Sequence, residues 1–139
     1  MKFLHVMIRV FDLETSLKFW VEQMGFHETW RREFHEGRFT LVFLQLGENE
    51  TKLELTYNWD EPETYSQGRN FGHLALSVEN IYQFCQRLQD QGIVINRPPR
   101  DGHMAFVKSP DGISIELLQE GEPLPPEEPW KSMQNQGTW

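Results

Sequence analysis

Cys85 is the only cysteine in the chain, so no internal disulfide framework exists. No apolar run approaches the roughly 20 residues that a membrane-spanning helix needs. The opening Met1-Lys2-Phe3-Leu4-His5 lacks the apolar stretch of a signal peptide. Basic residues are in deficit, 13 Lys and Arg against 21 Asp and Glu, for a net charge of −8. That balance argues against nucleic acid or an anionic membrane as partner, though it permits a local basic pocket for a small anion. Together these features favour a reducing cytoplasm. The 139 residues suffice for one domain, or for two small halves sharing a core.

Within that frame the richest stretch is Lys52–Trp59 (KLELTYNW). On a strand, Leu53, Leu55 and Tyr57 fall on one face and Glu54, Thr56 and Asn58 on the other. A carboxylate, a hydroxyl and an amide in a row are unusual on a strand with so much apolar surface. Upstream, residues 3–10 alternate as a strand. Asp12 is suited to cap a helix on which Leu13, Leu17, Trp20, Val21 and Met24 form an apolar stripe, and Gly25 stands at its end. Strands follow at about 26–35 and 38–46, joined by a Glu36-Gly37 turn. The first half therefore reads β-α-β-β-β.

A polar connector, residues 60–70, separates this half from a restart. Residues 71–78 read as a strand. Asn80 caps a helix carrying Ile81, Phe84, Cys85 and Leu88, which Gly92 ends. Ile93–Ile95, Met104–Lys108 and Ile113–Leu118 read as three strands, the last preceded by the Ser109-Pro110-Asp111-Gly112 turn. The second half is again β-α-β-β-β. The expected architecture is α+β, with module 1 over about 1–60 and module 2 over about 69–119. Residues 120–139, rich in proline and glutamate, form an irregular extension that Trp130 and Trp139 are placed to pin to the body or to a partner chain.

The halves are an internal repeat. His5 opens one and His73 the other; the helix-ending glycines follow 20 and 19 residues later; Leu53-Glu54-Leu55 matches Ile115-Glu116-Leu117. Scaffold duplication alone would keep apolar positions and glycines. Here a histidine and a glutamate are kept as well. Two imidazoles and two carboxylates are the content of a divalent metal site that suits Ni²⁺, Co²⁺, Zn²⁺, Mn²⁺ or Fe²⁺. No HxH or HExxH pattern marks them locally. A lone strand histidine is ordinarily hydrogen-bonded or exposed, and a lone strand glutamate ordinarily faces solvent. Equivalence within the repeat is what sets these four apart.

Leu4-His5-x-Met7-x-Arg9-Val10, the LELTYNW block, Phe71-Gly72-His73 and Ser109-Pro110-Asp111-Gly112-x-x-Ile115-Glu116-Leu117 resemble, in order and spacing, the signatures of glyoxalase I (lactoylglutathione lyase) in its short bacterial form. The resemblance covers residues 1–119. It implies two βαβββ modules of the vicinal-oxygen-chelate type, with curved mixed sheets, paired in a homodimer. It implies metal ligands at His5 and Glu54 of one subunit and His73 and Glu116 of the other. It implies Ni²⁺ or Co²⁺ in preference to Zn²⁺, because His5 stands where eukaryotic members have glutamine. It places the glutathione contacts at Arg9, Asn58 and Arg69, with Thr56 as a pocket residue. The loop 97–103 is shorter than in many members and lacks a lysine used near the glutathione glycine carboxylate; Arg97, Arg100 and His103 are candidates to replace it.

The implied reaction isomerises the hemithioacetal of methylglyoxal and glutathione to S-lactoylglutathione. A metal stabilises the enediolate while a glutamate shuttles the proton, with Glu116 the better candidate base and Glu54 its counterpart. Rival readings are a dioxygenase or fosfomycin-type thiol transferase, which use three protein ligands, and a metal-free, bleomycin-resistance-like sequestering protein, which keeps the fold without the ligands. Retention of all four residues speaks against each.

Overall fold

Asp12 and Asn80 begin the two helices by the same device. Each adopts an extended backbone and accepts a hydrogen bond from the amide three residues on, Thr15 N–H at 2.7 Å and Gln83 N–H at 3.0 Å. A computed structural model describes residues 1–139. It divides the chain into two units, Met1–Ser66 and Gln67–Trp139.

In the first unit β1 (His5–Arg9) leads into α1 (Leu13–Leu17), which continues as a π-helical turn over Lys18–Gln23. Met24 N–H bonds back to the Phe19 carbonyl, five residues earlier, at 2.9 Å. Gly25 then takes a φ of 87°, which ends the helix as its position suggested. Three strands follow: β2 (His27–Phe34), β3 (Phe39–Gln45) and β4 (Lys52–Asn58). They form a sheet in the order β1-β4-β3-β2, with β1 and β4 parallel and the rest antiparallel. A bulge between Glu28 and Trp30 shifts the register of the edge strand β2.

The alternation read in Lys52–Trp59 is the organising feature of this sheet. Leu53 and Leu55 are buried with Val42, Leu44, Phe19 and Trp20. Each such side chain contributes about 1.5–3 kcal/mol by leaving water. Glu54, Thr56 and Asn58 point to the opposite face. There they are ladder neighbours of Phe43, Leu41 and Phe39 on one side, while Met7 and Arg9 stand beside Glu54 and Thr56 on the other.

The second unit runs β5 (Leu74–Val78), α2 (Ile81–Asp90), β6 (Met104–Lys108) and β7 (Ser114–Gln119), with sheet order β5-β7-β6 and β5 parallel to β7. Here the structure departs from the expected β-α-β-β-β pattern. Ile93–Ile95 forms no strand, and only an isolated bridge, Arg97 to Phe106, extends the sheet beyond β6. Pro98 and Pro99 follow at once and have no N–H to donate, so the ladder cannot run on past Arg97.

Gln119 stitches this unit together. From the end of β7 its side-chain carbonyl accepts the Ile81 N–H at 2.9 Å, and its amide donates to the carbonyls of Glu79 and Glu120 at 2.7 and 3.0 Å. Cys85 is buried in α2, and burial pushes its thiol up to about 12. Residues 120–139 carry no helix or strand but pack onto this unit: Trp130 is buried, and Tyr82 donates to the Pro125 carbonyl at 3.0 Å. No helix in the structure is long and apolar enough to cross a membrane.

Candidate metal centre

Each unit gathers one histidine and one glutamate on the exposed face of its sheet. In the first, β1 carries His5 and β4 carries Glu54, and His5 Nε2 lies 3.0 Å from Glu54 Oε2. In the second, His73 precedes β5 and Glu116 sits in β7, with Nε2 and Oε2 3.1 Å apart. The carboxylates are similarly sheltered, at 13% and 16% side-chain exposure. A phenylalanine from the adjacent strand completes each pair. Phe43 stands opposite Glu54 and meets the His5 ring edge-on at 5.4 Å. Phe106 stands opposite Glu116 and meets the His73 ring edge-on at 5.5 Å.

Those two phenylalanines were not legible as a pair in the sequence. In the sequence each is one residue of an expected strand, 38–46 and Met104–Lys108, with nothing local to mark it. What they share is a place directly opposite a glutamate across an antiparallel ladder, which requires the register to be known.

Each pair fits two adjacent ligand positions of a divalent cation in chemistry and spacing. Imidazole nitrogen and carboxylate oxygen suit borderline and hard ions. Two adjacent ligands on a six-coordinate ion with bonds of ~2.1 Å lie about 3.0 Å apart. The same spacing serves a hydrogen bond when no ion is bound. No group of three or more His, Cys, Asp or Glu side chains comes together as a metal site within the chain.

The remaining site candidates divide between the units. Arg9 and Thr56 are register partners on the face that bears Glu54. Thr56 donates its hydroxyl to Glu54 Oε1 at 3.4 Å. Asn58 donates to the hydroxyl of Tyr65, 2.8 Å away, in the connector that sequence reading left featureless. Arg69 lies in the second unit, exposed, four residues before His73. Of the candidates to replace the missing lysine, Arg97 is tied to Asp101 at 2.9 Å and to the Met104 carbonyl. Arg100 bonds the Met133 carbonyl at 3.1 Å and Asn135 at 2.7 Å. Both are thus engaged within their own unit. A cavity of about 650 Å³ opens beside His5, with Trp30, Phe43, Thr29, Gln45 and Lys52 among its walls.

Residues 2–117 match the model of the Glyoxalase/Bleomycin resistance protein/Dioxygenase superfamily. The lactoylglutathione lyase of Neisseria meningitidis serogroup A is 42% identical over 126 residues, spanning 86% of this chain and 91% of that protein. The probable lactoylglutathione lyase of Synechocystis is 41% identical over 123 residues, spanning 84% and 93%. Among solved structures, the trypanothione-dependent glyoxalase I of Leishmania major superposes with a TM-score of 0.81 at 38% identity, over 86% of this chain and 87% of that one. With the sheet order and duplicated His–Glu pairs already described, these similarities place the chain in the glyoxalase I (lactoylglutathione lyase) family of that superfamily.

Proposed function

We propose that this protein isomerises the hemithioacetal formed from methylglyoxal and glutathione to S-lactoylglutathione, at a metal centre made by His5 and Glu54 of one subunit and His73 and Glu116 of a second copy. The observation that carries this reading is the duplicated half-site: the same residue pair, at 3.0 and 3.1 Å, on the same face of each unit. Each unit supplies two of the four ligands, and a symmetric homodimer would complete two identical centres. Ni²⁺ or Co²⁺ is the expected ion, and Zn²⁺ binds the same donors. A cytoplasmic site of action fits the lone, buried thiol of Cys85.

A divalent ion held there supplies Lewis-acid stabilisation of the negative charge that develops on the substrate's oxygens. The chain's own residues handle the proton. Glu116 takes it from C1 of the hemithioacetal, the electron pair of that bond passes into an enediolate, and Glu116 returns the proton to C2. C1 is oxidised to the thioester and C2 reduced to the alcohol, so no external electron acceptor enters. Glu54 holds the mirror position. Arg9 and Arg69 grip the carboxylates of glutathione through charge-assisted hydrogen bonds, and Asn58 and Thr56 offer an amide and a hydroxyl beside them. Phe43 and Phe106 keep water from the inner side of the two carboxylates.

The test is to strip the protein with a chelator, titrate it with Ni²⁺, Co²⁺ and Zn²⁺, and follow thioester absorbance with methylglyoxal and glutathione. Turnover that appears with Ni²⁺ or Co²⁺ and vanishes on chelation is expected. No turnover with any of the three ions would sink the proposal.

A further inference from the structure

Residues 118–139 lie beyond the region that matches the family model, yet they reach the ligand-bearing face of the second unit. In the first unit an aromatic row runs outward from the histidine. Phe43 abuts His5, and Trp30, directly opposite Phe43 on β2, packs on Phe43 with ring centroids 5.6 Å apart. In the second unit the residue opposite Phe106 is Arg97, whose guanidinium is turned to Asp101 and the Met104 carbonyl. The aromatic partner comes instead from the tail: Trp139 stacks on Phe106 at 6.0 Å. The two indoles are alike in exposure, 43% for Trp30 and 41% for Trp139.

The tail is held so as to deliver that ring. Trp130 is buried. Asn96 exchanges two hydrogen bonds with Gln136, its carbonyl accepting from Gln136 N–H and its side-chain amide donating to the Gln136 carbonyl, both at 2.9 Å. Arg100 holds Met133 and Asn135. Lys108 donates to the Thr138 hydroxyl at 3.4 Å.

We propose that Trp139 is a positioning residue for His73: stacked on Phe106, it fixes the phenyl edge against the imidazole, as Trp30 does through Phe43 at His5. The tail thereby supplies the aromatic that a fourth strand supplies in the first unit. This rests on the reading of His73 as a metal ligand. A ligand's orientation is set by what packs behind it, and loss of such a partner commonly lowers metal affinity 10- to 100-fold.

The full-length protein is compared as wild type, Trp139→Ala, Trp139→Phe and Trp30→Ala. Imidazole ring-proton resonances are recorded by NMR on metal-free protein, and Ni²⁺ affinity is measured by calorimetry. Trp139→Ala should shift the His73 resonances, leave those of His5 in place, and weaken Ni²⁺ binding about tenfold. Trp139→Phe, which keeps an aromatic face, should restore most of both, and Trp30→Ala should move His5 instead. Unchanged His73 resonances in Trp139→Ala, or a phenylalanine variant no better than alanine, would overturn the proposal. If wild-type protein binds no Ni²⁺, the metal-centre reading fails, and the resonances alone decide whether Trp139 positions His73.

Discussion

Thr56 donates its hydroxyl to Glu54 at 3.4 Å, and the second unit has no counterpart to that bond. Two residues beyond Glu116, on the same face of β7, the corresponding place is taken by Leu118. The duplication has thus left the two glutamates with unequal neighbours, a hydroxyl beside Glu54 and an aliphatic side chain in the matching place beside Glu116.

Glu116→Gln should lower kcat by at least ~100-fold, the usual span for a general base being about 10²–10⁴, while the melting temperature stays within a few degrees. Leu118→Thr, which copies the Thr56 arrangement onto the second unit, should lower kcat about tenfold with KM little changed. Near-normal turnover by Glu116→Gln, read from steady-state thioester formation, would remove it as the base.

The proposal that the sites are shared between subunits predicts complementation. Glu54→Gln and Glu116→Gln homodimers should each be inactive. When the two are unfolded together and refolded as a mixture, half the dimers should be mixed, and each mixed dimer should hold one fully wild-type site. About a quarter of wild-type activity should return, by the symmetry of a two-fold dimer. No recovery in a mixture whose heterodimers are verified by native mass spectrometry would exclude the shared site.

The Gln119 side chain makes three hydrogen bonds, two of which tie the end of β7 to the start of α2. Gln119→Leu keeps the volume but leaves a buried N–H and two carbonyls without this partner. The expected loss is about 2–3 kcal/mol, read as a lower urea midpoint with an unchanged slope. Asp12→Ala, which removes one exposed helix cap, should cost only about 1 kcal/mol.

Stability should also depend on pH through Asp101. Partial burial pushes its carboxyl up, but the Arg97 guanidinium and the N–H groups of Met104 and His103 outweigh this and hold it at about 2, below the ordinary 3.8. Because the folded value is the lower one, the contribution is present above the unfolded value and is lost as pH falls from there through about 2. The side chain is substantially exposed, so solvent screening brings the effect down to about 1 kcal/mol. Urea melts at pH 5 and pH 2.5 should show wild type losing more stability than Asp101→Asn across that interval.

Much of the fold was legible in the sequence because its signals are local. Asp12 and Asn80 are caps, Gly25 ends a helix, and the alternation in Lys52–Asn58 states which face is buried. The His–Glu pairs were legible because duplication repeats them. What escaped depends on neighbours distant in sequence. The π turn at Lys18–Gln23, where Phe19 and Trp20 are buried, leaves no local mark in a 3.6-residue apolar pattern. The missing strand at Ile93–Ile95 is of the same kind, since a period-two pattern over three residues does not say whether a partner strand lies alongside. Tyr65 and Trp139 sit in stretches without periodicity, and their roles emerge only once Asn58 and Phe106 are seen beside them.

The bulge between Glu28 and Trp30 bears on how the protein behaves when crowded. A sheet that stops at a long, regular strand invites another chain to continue it. Here the outer strand of the first sheet is offset at the bulge and carries Glu28, Arg31, Arg32 and Glu33 along its length. The outer side of β6 is met by one bridge and then by Pro98 and Pro99, which have no N–H to offer. Neither of these two margins is a template for a neighbour, so edge-to-edge association through β2 or β6 is discouraged even at high protein concentration.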